Sequence, residues 1–214
     1  MTLPEILGSY PSIDSWLQIS SEGKVNVFTG KVEIGQRITT ALALIVSDQL
    51  QINIDRVTIT SGNTELTPDE GYTAASFSME ASAAALSLVA AEAQNTLLER
   101  AAGRLSCSLE ELTVDDGTIV CGKSQETVTY WDLLGGMRFD RTVSGNVAPR
   151  RSATPRNGSG RTPSIYSRDI VTGELKYIQD IKLPGMVHGR VVRPPNYHSK
   201  LVSVDLKTVR NSDG

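Results

Sequence analysis

Ser78–Arg104, SMEASAAALSLVAAEAQNTLLERAAGR, contains no proline, and its single glycine, Gly103, lies near the end. Alanine has the highest intrinsic helix propensity, so the stretch predicts one long helix. Its many small side chains let a second element approach closely. That predicts a buried core helix which also supports the loop in front of it.

That loop is Thr67-Pro68-Asp69-Glu70-Gly71-Tyr72-Thr73-Ala74-Ala75-Ser76-Phe77-Ser78-Met79-Glu80. Thr73, Ser76 and Ser78 offer hydroxyl donors, and Ala74 and Ala75 are small enough to expose the main chain. Small residues, hydroxyls and a helix N-terminus together suit a phosphate or pyrophosphate. The commoner outcome of such spacing is an N-cap at Ser76 or Ser78.

Further upstream, Trp16–Ser20 and Lys24–Phe28 alternate apolar and polar residues around Glu22-Gly23, a hairpin signature. Thr29-Gly30-Lys31-Val32-Glu33-Ile34-Gly35-Gln36 follows. Gly30 and Gly35 permit positive φ in a tight strand-to-helix passage. The loop is expected to leave N–H groups free at the next helix, with Gln36 adding a donor and an acceptor. Ile38, Ala41, Leu42, Ile45 and Val46 recur on one helical face. Val57–Thr60 reads as a strand.

Downstream, Ser108-Leu109-Glu110-Glu111 has capping-box spacing. Leu112–Val114 and Thr118–Val120 flank Asp115-Asp116-Gly117, a second hairpin. Thr129–Asp132 caps a short helix ending at Gly135-Gly136. Residues 141–172 form a connector rich in Arg, Ser, Pro and Gly, with Arg141, Arg150, Arg151, Arg156, Arg161 and Arg168. It reads as a solvated connector over a protein surface, or as an arm around another domain or subunit. A nucleic-acid role is not expected, since aromatics are nearly absent. From Gly173, strands are expected at Leu175–Ile178 and Met186–Val192, with Arg193-Pro194-Pro195 ending the second. Leu201–Asp205 is strand-like, and the stop soon after it at Gly214 reads like a chain cut inside a domain.

The 214 residues carry a formal net charge of −3, which leaves no electrostatic footprint for nucleic acid. No apolar stretch is long enough to span a bilayer. The first residues have neither a basic nor an apolar export region, so the cytoplasm is expected. Cys107 and Cys121 form no CxxC and no metal-ligand cluster, and in a reducing compartment a disulfide is not the expected state. His188 reads as a structural strand residue and His198 as a solvated one. No nucleophile–base ordering and no Walker loop occurs.

LPEILGSYPSIDSWLQIS, TGKVEIGQ, TPDEGYTAASFSMEASAAA and LPGMVHGRVVRPP, in that order, resemble the N-terminal part of the molybdopterin-binding large subunit of the xanthine dehydrogenase/aldehyde oxidase family. The likeness is to the isoquinoline 1-oxidoreductase and nicotinate dehydrogenase type. It implies an α+β fold: a molybdopterin-binding domain with a mixed sheet and long helices over 1–140, the connector 141–172, and an incomplete α/β-hammerhead from 173 to 214. It implies a molybdenum–pterin cofactor, often the cytosine dinucleotide form in bacteria, used to hydroxylate N-heterocycles or aldehydes. It further implies [2Fe-2S] clusters on a small separate subunit. By position, Gln36 would contact the pterin, with Gly35 giving close approach. Thr73, Ala74, Ala75, Ser76 and Ser78 would hold the phosphate end, which turns the reading of that loop from cap to cofactor site.

The sequence departs from the family at Arg37, where the family usually has glycine after the motif glutamine. A cation there would reach a phosphate or crowd the pterin. The family's catalytic glutamate falls beyond this chain, so no catalytic and no metal-ligating residue is assigned. Activity is expected to require the remainder of the large subunit or a complementing chain. The rival readings are a non-catalytic scaffold that keeps the fold and a generic anion-binding module. An exposed apolar patch, or an oligomer covering it, is expected of the isolated chain.

Overall fold

The computed structural model describes residues 3–151 and 162–210. A short helix, α1 (Ile6–Ser9), and a tight turn at Ile13–Ser15 lead into β1 (Leu17–Ile19). The chain reverses through Gly23, at φ +79°, into β2 (Val25–Thr29). The two strands pair antiparallel with Gln18 opposite Asn26. The alternation decides the face: Leu17, Ile19, Val25 and Val27 are all buried. Helix α2 (Ile38–Leu50) crosses to β3 (Val57–Ser61), which pairs parallel to β2 from Val25↔Val57 to Thr29↔Ser61. A parallel pair needs such a crossover.

The long helix starts at Ser78. Its first turns, Ser78–Ala83, are π-wound, and α3 (Ala84–Leu105) continues in α geometry. α3 packs along α2. Ala85, Ala90, Ala93 and Ala101 are fully buried, which is the close approach that small side chains allow. β4 (Leu112–Asp115), β5 (Thr118–Cys121) and β6 (Thr127–Thr129) form an antiparallel meander. Its first turn has positive φ at Asp116 and Gly117, matching the right-handed strand twist. α4 (Tyr130–Leu134) begins at a Thr129–Asp132 capping box and ends at Gly135 in the left-handed region. One core cluster runs from Trp16 and Leu17 through both long helices to Ile119, Tyr130 and Phe139.

Arg56 joins the two sheets. It pairs with Asp116 at 3.0 Å, donates to the Gly23 carbonyl and lies 4.8 Å over the Trp131 ring. Buried carboxylates and amides then hold the connector down. Asp14 accepts from the Phe139 and Asp140 N–H groups. Glu92 accepts from the Ser144 N–H and hydroxyl and from the Gly145 N–H. Gln49 exchanges two bonds with the Arg150 main chain. Later in the connector, Thr40 accepts from the Ile165 N–H ahead of α5 (Ser167–Thr172). The described connector therefore runs over this domain's own surface. Arg156 and Arg161 lie outside the described residues.

Two expectations need correction. Cys107 and Cys121 are disulfide-bonded, with Cα atoms 6.3 Å apart. The end of α3 and the end of β5 meet, a neighbourhood that the 14-residue separation hides. Glu111 lies beside them, so a metal-type cluster does exist there, but its two sulfurs bond each other. Secondly, Leu175–Ile178, Met186–Val192 and Leu201–Asp205 form no strands. The segment holds a tight turn at Ile178–Asp180 and a short α6 (Leu206–Arg210). Every residue from 176 to 207 is exposed. A strand needs a neighbour to take its ladder bonds, and among the described residues none lies beside these runs. His188 is accordingly an exposed residue outside any strand, and His198 is exposed as expected. The expected cut, at 211–214, lies outside the described residues.

Candidate functional site

β2 ends at Thr29, and the chain passes through residues 30–37 to α2. Glu33 organises this passage. One carboxylate oxygen accepts from the N–H groups of Gly35 (3.0 Å) and Arg37 (2.8 Å), and the other from the Thr39 hydroxyl (2.9 Å). Burial works against the charged form, but the bonds from Arg37, Thr39 and Gly35 outweigh it and hold the Glu33 pKa below the ordinary value. Gln36 folds back on the same loop, accepting from the Ile34 N–H at 2.7 Å and donating to the Val32 carbonyl at 3.0 Å. The expected row of free amides is thus corrected: Val32, Ile34, Gly35, Arg37 and Thr39 all donate within the protein. Glu33 takes the amides of Gly35, Arg37 and Thr39, two to six residues away, while Gln36 takes that of Ile34 and Thr73 that of Val32.

The glycines divide the work. Gly35 takes φ +97°, as expected, whereas Gly30 does not have positive φ. Gly30 is needed for space, since a Cβ there would lie 2.3 Å from the Pro68 carbonyl oxygen. That close approach joins the two loops. The Glu70 carboxylate accepts from the Thr29 hydroxyl (2.6 Å) and the Gly30 N–H (2.7 Å). Lys31, 1% exposed, donates to the carbonyls of Glu70 (2.6 Å) and Tyr72 (2.7 Å). The Thr73 hydroxyl accepts from the Val32 N–H at 3.0 Å. Lys31 and Glu70 sit inside the two quoted motifs, but nothing in periodicity or spacing distinguishes them from solvated loop charges.

The junction opens a groove of about 520 Å³. Ile34, Gln36, Ile38 and Ala41 line it from the first loop and α2, and Thr73, Ala74, Ala75, Ser76, Ser78 and Met79 from the second loop. Six of the seven expected residues therefore meet at one place. Gly35 instead lines a neighbouring cavity of about 970 Å³ with Glu33, Arg37, Tyr166 and Tyr177. Arg37 also faces that side, donating to the Thr162 carbonyl at 2.6 Å. It neither crowds the groove nor lines it. Burial, then the charges of Glu33 and Asp169, raise the Tyr166 pKa, so its phenol stays protonated.

The Ser76 or Ser78 cap that spacing alone suggests is absent: the residue before the helix is Phe77, and no side chain caps it. Instead Ala75 and Ser76 adopt left-handed backbone, at φ +49° and +62°. For residues with a Cβ that costs on the order of 1–3 kcal/mol each and collects at ligand clamps. The π-wound start of the helix is a second irregularity of the kind found at functional sites.

Residues 6–166 match the family described as molybdopterin cofactor-binding domain. The chain belongs to this family. It is 36% identical over 181 residues to a nicotinate dehydrogenase subunit of Pseudomonas putida, covering 84% of this chain and 15% of the relative. The beta subunit of isoquinoline 1-oxidoreductase of Brevundimonas diminuta is 22% identical over 231 residues, covering 90% of this chain and 29% of the relative. A crystal structure of a Cu,Mo-CO dehydrogenase in its carbon monoxide reduced state aligns at TM-score 0.49 with 26% identity, over 56% of this chain and 15% of that one. The chain thus corresponds to the molybdopterin-binding part of a xanthine dehydrogenase-family large subunit, and spans less than a third of each of the two curated relatives. No helix among the described residues is long and apolar enough to cross a membrane.

The groove of this molybdopterin cofactor-binding chain has the right chemistry for the group. Its polar lining is hydroxyl and carboxamide with no carboxylate, and Ala74 and Ala75 present only methyl groups beside the main chain. A phosphate-bearing ligand needs donors, room at the backbone and no competing acid. Glu33, the nearest acid in the first loop, is consumed by the loop's own amides.

Proposed function

We propose that this chain forms one wall of the molybdenum–pterin site of an oxidoreductase of the molybdenum hydroxylase type. The observation that carries the reading is the convergence of two loops ~40 residues apart on one groove, whose polar lining is hydroxyl and carboxamide and includes no acid. Thr73, Ser76 and Ser78, with the main chain freed by Ala74 and Ala75, hold the phosphate end. Gln36 turns its carboxamide from the Val32 and Ile34 main chain to the pterin, a rotation within its own loop. Gly35 lets that loop bend close. When bound, the cofactor supplies oxidative hydroxylation of an N-heterocycle or an aldehyde, the former class being in the names of the two relatives. The protein's share here is to bind, orient and keep acids away from the phosphate end.

The same reading assigns the cytosine dinucleotide form of the cofactor. It places [2Fe-2S] clusters on a small partner subunit, since both cysteines of this chain are engaged with each other. The groove's opposite wall and the catalytic glutamate come from the remainder of the large subunit, so the chain alone is inactive. Residues 173–214 belong to a hammerhead unit, and the runs Met186–Val192 and Leu201–Asp205 become strands only against that remainder.

The test is molybdenum content by mass spectrometry. The chain is purified alone, and after co-expression with the remaining part of a large subunit and a cluster subunit. Near-stoichiometric molybdenum only in the co-expressed sample is expected, with loss on Ser76→Pro. Absence of molybdenum in both samples would replace this reading with a non-catalytic scaffold.

A further inference from the structure

Lys31 carries a buried cation with no acid against it. Its side chain is 1% exposed, and among the described residues no carboxylate lies within ion-pair distance of its ammonium. Three main-chain carbonyls serve instead, Glu70 at 2.6 Å, Tyr72 at 2.7 Å and Gly71 at 3.4 Å. A buried charge is tolerated only where dipoles replace its hydration. Three consecutive carbonyls turned to one ammonium are such a replacement, and they come from the loop that leads directly to Thr73.

Peptide geometry carries the consequence. A trans peptide holds its C=O and N–H antiparallel, and no cis bond occurs here. Drawing the Tyr72 carbonyl onto the ammonium therefore turns the Thr73 N–H the opposite way, away from Lys31. The Thr73 side chain is fixed independently, because its hydroxyl accepts from Val32 N–H at 3.0 Å. The ammonium also polarises the peptide it holds, which makes that N–H a stronger donor.

We infer that Lys31 is the positioning residue of the groove, a tethered cation that aims and polarises the Tyr72–Thr73 peptide toward the anionic end of the ligand. This rests on the cofactor reading given above. Lys31 itself does not line the groove and touches no ligand; it acts through the main chain. Its requirement is a small cation with several N–H donors, so an alkylammonium ion of the right size would replace it.

The experiment uses Lys31→Met and Lys31→Ala in the full chain, with circular dichroism to verify the fold. Hydrogen exchange by mass spectrometry reads peptides over 70–79 and over α3. Lys31→Met is expected to speed exchange at 70–79 by about tenfold or more while α3 is unchanged. In the co-expressed assembly it is expected to lose most of its molybdenum. Lys31→Ala is expected to behave alike and to be rescued in both readouts by propylammonium but not by tetramethylammonium, which has no N–H. Unchanged protection in Lys31→Met, or Lys31→Ala indifferent to the two amines, overturns the inference. If the unmutated assembly holds no molybdenum, the cofactor reading fails by itself, while the exchange measurement still decides whether Lys31 orders the loop.

Discussion

Lys24–Phe28 and Met186–Val192 are both short runs rich in β-branched and apolar residues, yet one is a strand and the other is not. β2 lies between β1 and β3, and α2 and α3 pack into the same core, so both its ladder edges and its apolar face are satisfied. Among the described residues Met186–Val192 has neither, and Val192 is 95% exposed. Apolar patterning is thus an offer of a strand that a neighbour must accept. The same contrast separates the site loops from the tail. Residues 29–37 and 67–78 hold irregular backbone in place through polar bonds between the two loops, anchored at the buried Lys31, whereas every residue of 176–207 is exposed.

The seam between the site loops offers the largest break. Gly30→Ala puts a methyl group 2.3 Å from the Pro68 carbonyl oxygen, a backbone atom that cannot rotate aside. A loss of about 2–3 kcal/mol is expected, the upper range for overpacking a buried site. Urea denaturation checks it. A variant as stable as the parent would mean that the two loops do not meet as described.

Glu92 comes next. It is 8% exposed, and one oxygen accepts three bonds from Ser144 and Gly145. Glu92→Ala strips those donors of their acceptor, and about 2 kcal/mol is expected to go, the scale for bonds to a charged group. Thermal unfolding reads the total, and limited proteolysis after residue 143 reads the strap. Loss of stability without faster cleavage would assign Glu92 to α3 packing alone.

Much of the body was legible because its signals are local and agree with one another. Asp116-Gly117, the Thr129–Asp132 box and the alanine run each dictate a conformation within a few residues, and each appears where expected. The groove residues were legible through the resemblance, since spacing alone favoured a serine cap. What stayed hidden depends on distant neighbours. Lys31 and Glu70 act across ~40 residues, Cys107 meets Cys121 through the meander, and Glu33 competes for amides that a ligand was expected to take.

Glu33 provides a pH test of the first loop. Its folded pKa lies below the ordinary value, so its contribution is present above the unfolded pKa and is lost as pH falls through the folded one. Acidification below the ordinary value of 4.5 is therefore expected to speed exchange over 34–39 before α3 loosens. Glu33→Gln should remove that pH dependence. If both proteins respond alike, the four bonds to Glu33 do not set the loop.

The smallest effect is expected from the other side of the comparison. Deleting 178–214 removes Ile178, Val187, Val191, Val192, Leu201 and Val202, all more than four-fifths exposed. Side chains that are already solvated contribute no transfer free energy to the body, so Tm should stay within about 2 °C. A fall of more than about 4 °C would show that the tail packs on the body in solution and that its strand patterns are already satisfied within the chain. The complementary measurement adds the remainder of the large subunit and follows exchange at 186–192. Protection appearing there only in the complex would mean that the neighbour those residues lack is supplied in trans, and that their patterning was written for it.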